Sequence, residues 1–274
     1  MVVGVVVVSL GTSAPEFLVS LQAAAEHPNI SIGNVIGSNI SNIGLVLGLT
    51  AVVFPLAVKA VSIKLDWSVM MFSGILLYLF LWCKNLGTGG GFIFVFILTL
   101  YIVYTLYSSR KKNKKWPEAK IPAQYSLSVS LIILVLASAG LVIGAKWVVE
   151  GAEFVAHNLG VSDRVISASV LAVGTSLPEL TASLMAALKK EPDLSIGNII
   201  GSNIYNTFGI LGTTAVFKPL KHFSESFKAF DIWWMLGFYL ILFLLILPLK
   251  GGMLYRYKGL ILLSGYFLYI WFLF

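Results

Sequence analysis

Two short segments of this chain constrain its fold more than anything else in it. GTSAPEF (Gly11–Phe17) and GTSLPEL (Gly174–Leu180) each place a glutamate directly after a proline inside an apolar run. The surroundings are written for hydrocarbon. Of 274 residues 58% are hydrophobic and 11% charged, too little charge to cover a soluble domain of this size. Apolar stretches of about 18 residues or more recur, each able to cross a hydrocarbon core of about 30 Å. A carboxylate at that depth costs from about 2.5 to above ~10 kcal/mol, so one that recurs marks an ion path or a proton relay. The chain is expected to be an all-α polytopic membrane protein.

The apolar pattern predicts about nine spans, near 2–25, 31–57, 66–83, 90–108, 126–149, 164–188, 194–217, 229–248 and 258–274. One break stands out: SSRKKNKKWPEAKIP (108–122) carries six Lys/Arg against one Glu, and its prolines discourage a continuing helix. The parts on either side are related. The glutamate motif recurs at an offset of 163, and SIGNVIGSNISNIGLVLG (31–48) matches SIGNIIGSNIYNTFGILG (195–212) at an offset of 164. Weaker matches follow: Pro55 with Pro219, Asp66 with Asp231, Tyr101 with Tyr266 and Tyr104 with Tyr269. This predicts a first repeat over 1–108 with four spans, a basic linker over 109–125, and a second repeat over 126–274 with five.

Parity gives orientation. Five crossings separate the two glutamate spans, so they run in opposite directions, and homologous halves of opposite orientation are the inverted repeat of secondary transporters. Placing the 109–125 loop in the cytoplasm puts 13 Lys/Arg inside and five outside, with Lys146 within a span. The positive-inside rule favours that choice. The net charge of +7 therefore reads as topology rather than as a nucleic-acid footprint, and membrane lipid is the expected surrounding partner. Cys83 is the single cysteine, which excludes an intrachain disulfide and a thiolate metal cluster. No basic n-region precedes the first motif, so no cleavable signal peptide is expected.

Chemistry concentrates at the repeated motifs. Pro15 and Pro178 each remove a backbone donor just before Glu16 and Glu179, freeing carbonyls about one turn earlier, near Ser9 or Thr12 in one copy and Ala172 in the other. Broken backbone at membrane depth persists only where it lines a cavity or is buried in protein. A kinked helix whose glutamate snorkels outward is the plainer reading, and recurrence of the acid in both copies argues against it. Ser38 and Asn42, like Ser202 and Asn206, share a helical face. Neutral oxygens beside a carboxylate suit hard cations. Taken singly, these segments serve equally well as close-packing surfaces; beside the acidic motif in both copies, the ion-site reading prevails.

Other polar residues read more plainly. Lys146 and Glu150 form a local pair four residues apart, Glu153 lies near a helix end, and Asp66 and Asp231 open spans as favourable N-terminal charges. His27, His157 and His222 lack metal-ligand spacing. The tail GYFLYIWFLF reads as a lipid-facing anchor. An intramembrane enzyme using the glutamates as acid and base is disfavoured, because there is no HExxH and no nucleophile paired with a histidine. No Walker motif supplies nucleotide energy.

At GTSAPE with GSNISN and at GTSLPE with GSNIYN the chain resembles the cation/calcium antiporter superfamily, in its prokaryotic sodium/calcium exchanger-like branch. The resemblance implies ten helices in two inverted repeats of five whose signature segments meet at a central site. It implies Glu16 and Glu179 as carboxylates shared by Ca²⁺ and Na⁺, with Thr12, Ser13, Thr175 and Ser176 adding oxygens. Ser38, Asn42, Ser202 and Asn206 would complete the coordination, with the Ser9 and Ala172 carbonyls on Na⁺. Some members carry Asp where both segments here end in Asn, which leaves two fixed carboxylates. The first repeat also lacks a counterpart of LVIGAKWVVEGAEFVAHNLG, so the chain is expected to be N-terminally truncated, with nine spans of ten. The expected function is Ca²⁺/Na⁺ antiport by alternating access in a prokaryotic inner (plasma) membrane, with no cofactor beyond the transported ions. The alternatives are Ca²⁺/H⁺ exchange and a non-transporting truncated remnant.

Overall fold

The computed structural model describes residues 8–24, 27–58, 60–115, 163–221, 223–247 and 252–273, together with position 6 and scattered positions between 129 and 154. Both glutamate motifs interrupt a helix. In the first copy the break separates α1 (Ser9–Thr12) from α2 (Ala14–Ala23). Next, α3 (Pro28–Ser41) passes through a widened π-helical turn at Asn42–Leu47 into α4 (Gly48–Val53), followed by α5 (Ala60–Trp82) and α6 (Thr88–Lys115). The second copy repeats this order. It comprises α7 (Asp163–Ile166), a π-helical stretch Ser167–Leu171, α8 (Ala172–Thr175) and α9 (Leu177–Leu188). After these, α10 (Pro192–Ile204) passes through the π-helical turn Tyr205–Leu211 into α11 (Gly212–Phe217). A further wide stretch, Phe227–Asp231, leads into α12 (Ile232–Ile246), and α13 (Arg256–Leu273) ends the described chain.

Among the described residues, Pro28–Val53, Leu65–Trp82, Thr88–Ser109 and Phe227–Ile246 are long and apolar enough to cross a membrane, and Ala168–Thr175 with α9, bent by 45°, is a fifth if the bent pair counts as one span. The predicted span 126–149 lies largely outside the described residues, as do Lys146, Glu153, His157 and His222. Of its described positions, Ile132, Leu136, Ile143 and Trp147 are helical and exposed.

The surface is the apolar side of this molecule. Phe96, Leu100 and Val103 of α6, Trp233 and Leu244 of α12 and Trp271 of α13 are all exposed, as hydrocarbon permits. The polar residues lie inside instead. α3 buries Ser31, Asn34, Ser38 and Asn39, and α10 buries Ser195, Asn198, Ser202 and Asn203. Each polar helix is sealed by apolar neighbours. Ile36, Ile40 and Ile43 are fully buried, and Phe208 meets Phe94 edge-on with centroids 5.4 Å apart.

Two small strand pairs tie the motif copies together. β1 (Leu56–Val58) runs antiparallel to β4 (Gly252–Leu254), Leu56 opposite Leu254; β2 (Asn85–Leu86) pairs with β3 (Leu220–Lys221), Leu86 opposite Leu220. Hydrogen-bonded strands must share one side of the membrane, as the crossing parity requires of each pair of loops. Helices cross tightly at matching places. A Cβ on Gly259 would lie 2.6 Å from the Gly48 carbonyl oxygen, and one on Gly91 2.6 Å from that of Gly212. Only glycine permits such approaches.

Four expectations change. Asp66 lies well inside α5, and Asp231 sits at the N-cap position of α12 without a side-chain capping bond; both are buried and accept hydrogen bonds, from Tyr101 Oη (2.8 Å) and Tyr269 Oη (3.1 Å). These bonds equate Tyr101 with Tyr269, at an offset of 168, where the sequence match pairs Tyr101 with Tyr266. The aromatic tail is not wholly lipid-facing: Tyr266, Tyr269 and Leu273 are buried while Phe267, Leu268, Trp271 and Phe272 are exposed, because a helix turns every third or fourth residue inward. Finally, α6 runs on to Lys115, so the linker begins as helix and only then meets Pro117.

Candidate ion-binding site

The two breaks are built alike. Ser13 (φ −83°, ψ 14°) and Ser176 (φ −81°, ψ 2°) leave helical geometry at matched positions. Proline is the second residue of the next helix in both copies, within the first turn, where its missing N–H costs nothing. The Ser13 N–H still reaches the Ser9 carbonyl (3.0 Å), and the Ser176 N–H reaches that of Ala172 (3.2 Å). The breaks therefore do not free these carbonyls as the sequence predicts: each accepts a main-chain N–H, that of Ser9 is also within reach of Thr12 Oγ1 (3.4 Å), and that of Ala172 has a second lone pair to offer.

Side chains then interlock across the copies. Ser13 Oγ donates to Glu179 Oε1 at 2.8 Å, and Ser202 Oγ donates to the same oxygen at 3.3 Å. Ser38 Oγ meets Thr175 Oγ1 at 3.2 Å. Thr12 Oγ1 reaches Asn198 Oδ1 (3.3 Å), mirrored by Thr175 Oγ1 to Asn34 Oδ1 (3.4 Å). Each of these asparagines also donates into its own copy. Asn34 Nδ2 reaches the Glu16 carbonyl (3.3 Å) and Ser20 Oγ (3.2 Å), while Asn198 Nδ2 reaches the Glu179 carbonyl (3.5 Å) and Ser183 Oγ (3.1 Å). Deeper between the polar helices, Asn42 Nδ2 donates to Asn203 Oδ1 (3.0 Å) and Asn39 Nδ2 to Thr207 Oγ1 (2.9 Å).

All twelve residues expected at the site (Ser9, Thr12, Ser13, Glu16, Ser38, Asn42, Ala172, Thr175, Ser176, Glu179, Ser202 and Asn206) are buried. Direct hydrogen bonds join Ser13 and Ser202 to Glu179, and Ser38 to Thr175. Several polar atoms have no hydrogen-bond partner among the described residues: both carboxylate oxygens of Glu16, Oε2 of Glu179, Ser176 Oγ, Asn42 Oδ1 and both amide atoms of Asn206. Buried polar atoms are normally paired, and a missing partner asks for a reason. Seven such atoms fall on five of the twelve expected residues, and others, among them Ser31 Oγ, Asn39 Oδ1 and Tyr239 Oη, lie elsewhere among the described residues. Among the described residues, every buried carboxylate oxygen left unpaired belongs to one of the two motif glutamates. Chemically, the site offers two buried carboxylates among neutral oxygens, the donor set of a hard cation.

Sequence reasoning misses Asn34 and Asn198. A signal is present, since Asn34 and Asn198 stand four residues before Ser38 and Ser202 and therefore on the same helical face. In the sequence they pass as flanks of the glycine-containing motif.

Comparison with known proteins supplies relatives. The family model described as "Sodium/calcium exchanger protein" matches residues 1–109 and 129–274. The sodium/calcium exchanger MaX1 of Methanosarcina acetivorans is 31% identical, covering 97% of this chain and 86% of MaX1. The inner membrane protein YrbG of Escherichia coli is 31% identical over 80% of this chain and 70% of its own length. Among solved structures, that of the sodium-calcium exchanger NCX_Mj soaked with 2.5 mM Na⁺ and 0.1 mM Ca²⁺ superposes with a TM-score of 0.77 at 31% identity, covering 97% of this chain and 84% of that one.

Proposed function

This chain belongs to the sodium/calcium exchanger protein family, and on that premise we propose that it is a secondary antiporter exchanging Ca²⁺ for Na⁺ by alternating access. The observation that carries this reading is the set of buried, unpaired carboxylate oxygens on Glu16 and Glu179, set among oxygens from both motif copies. Two carboxylates neutralise one Ca²⁺, and the same oxygens serve Na⁺ when Ca²⁺ leaves. Mutual exclusion at shared ligands is what couples the two fluxes.

In this reading Glu16 and Glu179 bind the ion directly. Thr12, Ser13, Thr175 and Ser176 add oxygens at the helix breaks, Ser38, Asn42, Ser202 and Asn206 add them from the paired polar helices, and the Ser9 and Ala172 carbonyls take Na⁺. The wide turns at Asn42–Leu47 and Tyr205–Leu211 place Asn42 and Asn206 where helical hydrogen bonding is loosened, a frequent feature of functional sites. Repeats over 1–108 and 126–274, joined by a cytoplasmic basic linker, would present one site to either side of an inner membrane.

The test is Ca²⁺ binding to purified protein by titration calorimetry. Glu16→Gln and Glu179→Gln are each expected to abolish it. Retained affinity in either variant overturns the assignment.

A further inference from the structure

We infer that Asn34 and Asn198 are positioning residues that set the polarity of the ion site's hydroxyl groups; this rests on the exchange reading above. The argument is one of hydrogen-bond direction. A main-chain carbonyl can only accept. Asn34 approaches the Glu16 carbonyl, so its NH₂ must face that carbonyl, and its Oδ1 must face Thr175. An amide oxygen also only accepts, so the Asn34 contact takes the single Thr175 proton, in competition with the Glu16 carboxylate. That leaves Ser38 as the donor in its contact with Thr175. One asparagine thereby turns the Thr175 proton away and leaves its oxygen as a pure acceptor.

The second copy reaches the same result with different residues. Asn198 directs its NH₂ to the Glu179 carbonyl and Ser183, and its Oδ1 accepts from Thr12. Thr12 has the Ser9 carbonyl as its other acceptor (3.4 Å). The Asn198 contact is the one that takes the proton of this hydroxyl out of the cluster. All the groups concerned are buried, so water does not reorient them. A hydroxyl lining a cation site works only with its oxygen turned to the ion. The two asparagines impose this before any ion arrives, and each does so on the threonine of the opposite copy. They need not touch the ion.

The experiment measures the Ca²⁺ dissociation constant of the full-length protein in detergent, together with its melting temperature. Asn34→Ala is expected to weaken Ca²⁺ binding by roughly tenfold, because the Thr175 proton becomes free to point at the ion. Thr175→Val added to Asn34→Ala then costs little more, whereas Thr12→Val added to Asn34→Ala multiplies the loss. Thr175→Ser, which keeps a hydroxyl able to donate to Asn34, retains affinity. A merely structural role would lower the melting temperature without this pairwise pattern. Unchanged affinity in Asn34→Ala, or full multiplication of losses between Asn34→Ala and Thr175→Val, overturns the inference. If Asn34→Ala does not fold, Asn198→Ala with Thr12→Val and Thr175→Val decides in the same way. Glu179→Gln, run beside them, separates the two claims. Its failure to abolish Ca²⁺ binding refutes the exchange site itself, whereas its success alongside unaffected asparagine variants refutes only the positioning role.

Discussion

Gly37 offers a quantitative test of how tightly the site is framed. It opens the GSN segment of α3 and faces the helix leading into the second break. A Cβ built there would lie 2.7 Å from the Ala168 carbonyl oxygen, 2.8 Å from Ala168 Cα and 2.8 Å from Ala172 Cβ. The first two are backbone atoms and the third is fixed to the backbone, so none can rotate away. Gly37→Ala must push the helices apart by several tenths of an ångström. Overpacking of this kind costs about 1–3 kcal/mol, and the clash with backbone points to the upper end. Helix propensity returns up to about 1 kcal/mol, leaving a net loss of about 1–2 kcal/mol. At about 2–4 °C per kcal/mol for a chain of this order of size, the melting temperature should fall by about 2–8 °C. The displaced segment carries the Ala172 carbonyl, so Na⁺ and Ca²⁺ affinities should fall with it. Thermal denaturation in detergent and Ca²⁺ titration on the same sample give both readouts. Gly237 is the control: a Cβ added there would meet nothing within 4 Å, and Gly237→Ala should lose nothing. A Gly37→Ala protein as stable as wild type and with unchanged affinity would refute the argument.

Two further predictions separate stability from ion binding. Tyr101→Phe and Tyr269→Phe each remove a hydroxyl that donates to a buried carboxylate; each should cost about 1–3 kcal/mol, read by denaturation, with Ca²⁺ affinity within about twofold of wild type. Asn206→Leu should do the opposite. Both of its amide atoms are buried without a hydrogen-bond partner among the described residues, so an apolar side chain of similar size relieves a desolvation penalty of about 1–3 kcal/mol. The ion-free protein should melt higher while Ca²⁺ binding weakens, and a lower melting point would contradict this.

How much of this is legible in the sequence follows from what a hydrocarbon setting does to contrast. Against an apolar background Glu16, Glu179 and the GSN segments stand out, and their duplication gives the inverted fold and the candidate site together. Asn34 and Asn198 are hidden because their partners, Thr175 and Thr12, belong to the opposite copy and lie 141 and 186 residues away. Periodicity within one helix carries no trace of such a contact. Asp66 and Asp231 mislead for a related reason. Their surroundings read as span openings, whereas α5 begins earlier, at Ala60, and each carboxylate is paired with a tyrosine on a later helix. The tyrosine match at an offset of 165 fails because the connection before the last helix is longer in the second copy, which moves the offset to 168. An ungapped comparison does not register that shift; the hydrogen bonds do.

The central claim is that one buried pair of glutamates binds Ca²⁺ and Na⁺ in turn and thereby couples their fluxes. The most direct test is Ca²⁺ uptake into proteoliposomes loaded with Na⁺, with and without an outward Na⁺ gradient, at fixed pH. The account predicts uptake that follows the Na⁺ gradient, persists when the pH gradient is abolished and vanishes in Glu179→Gln. Uptake driven by a pH gradient and indifferent to Na⁺, or no uptake from protein that still binds Ca²⁺, would contradict it.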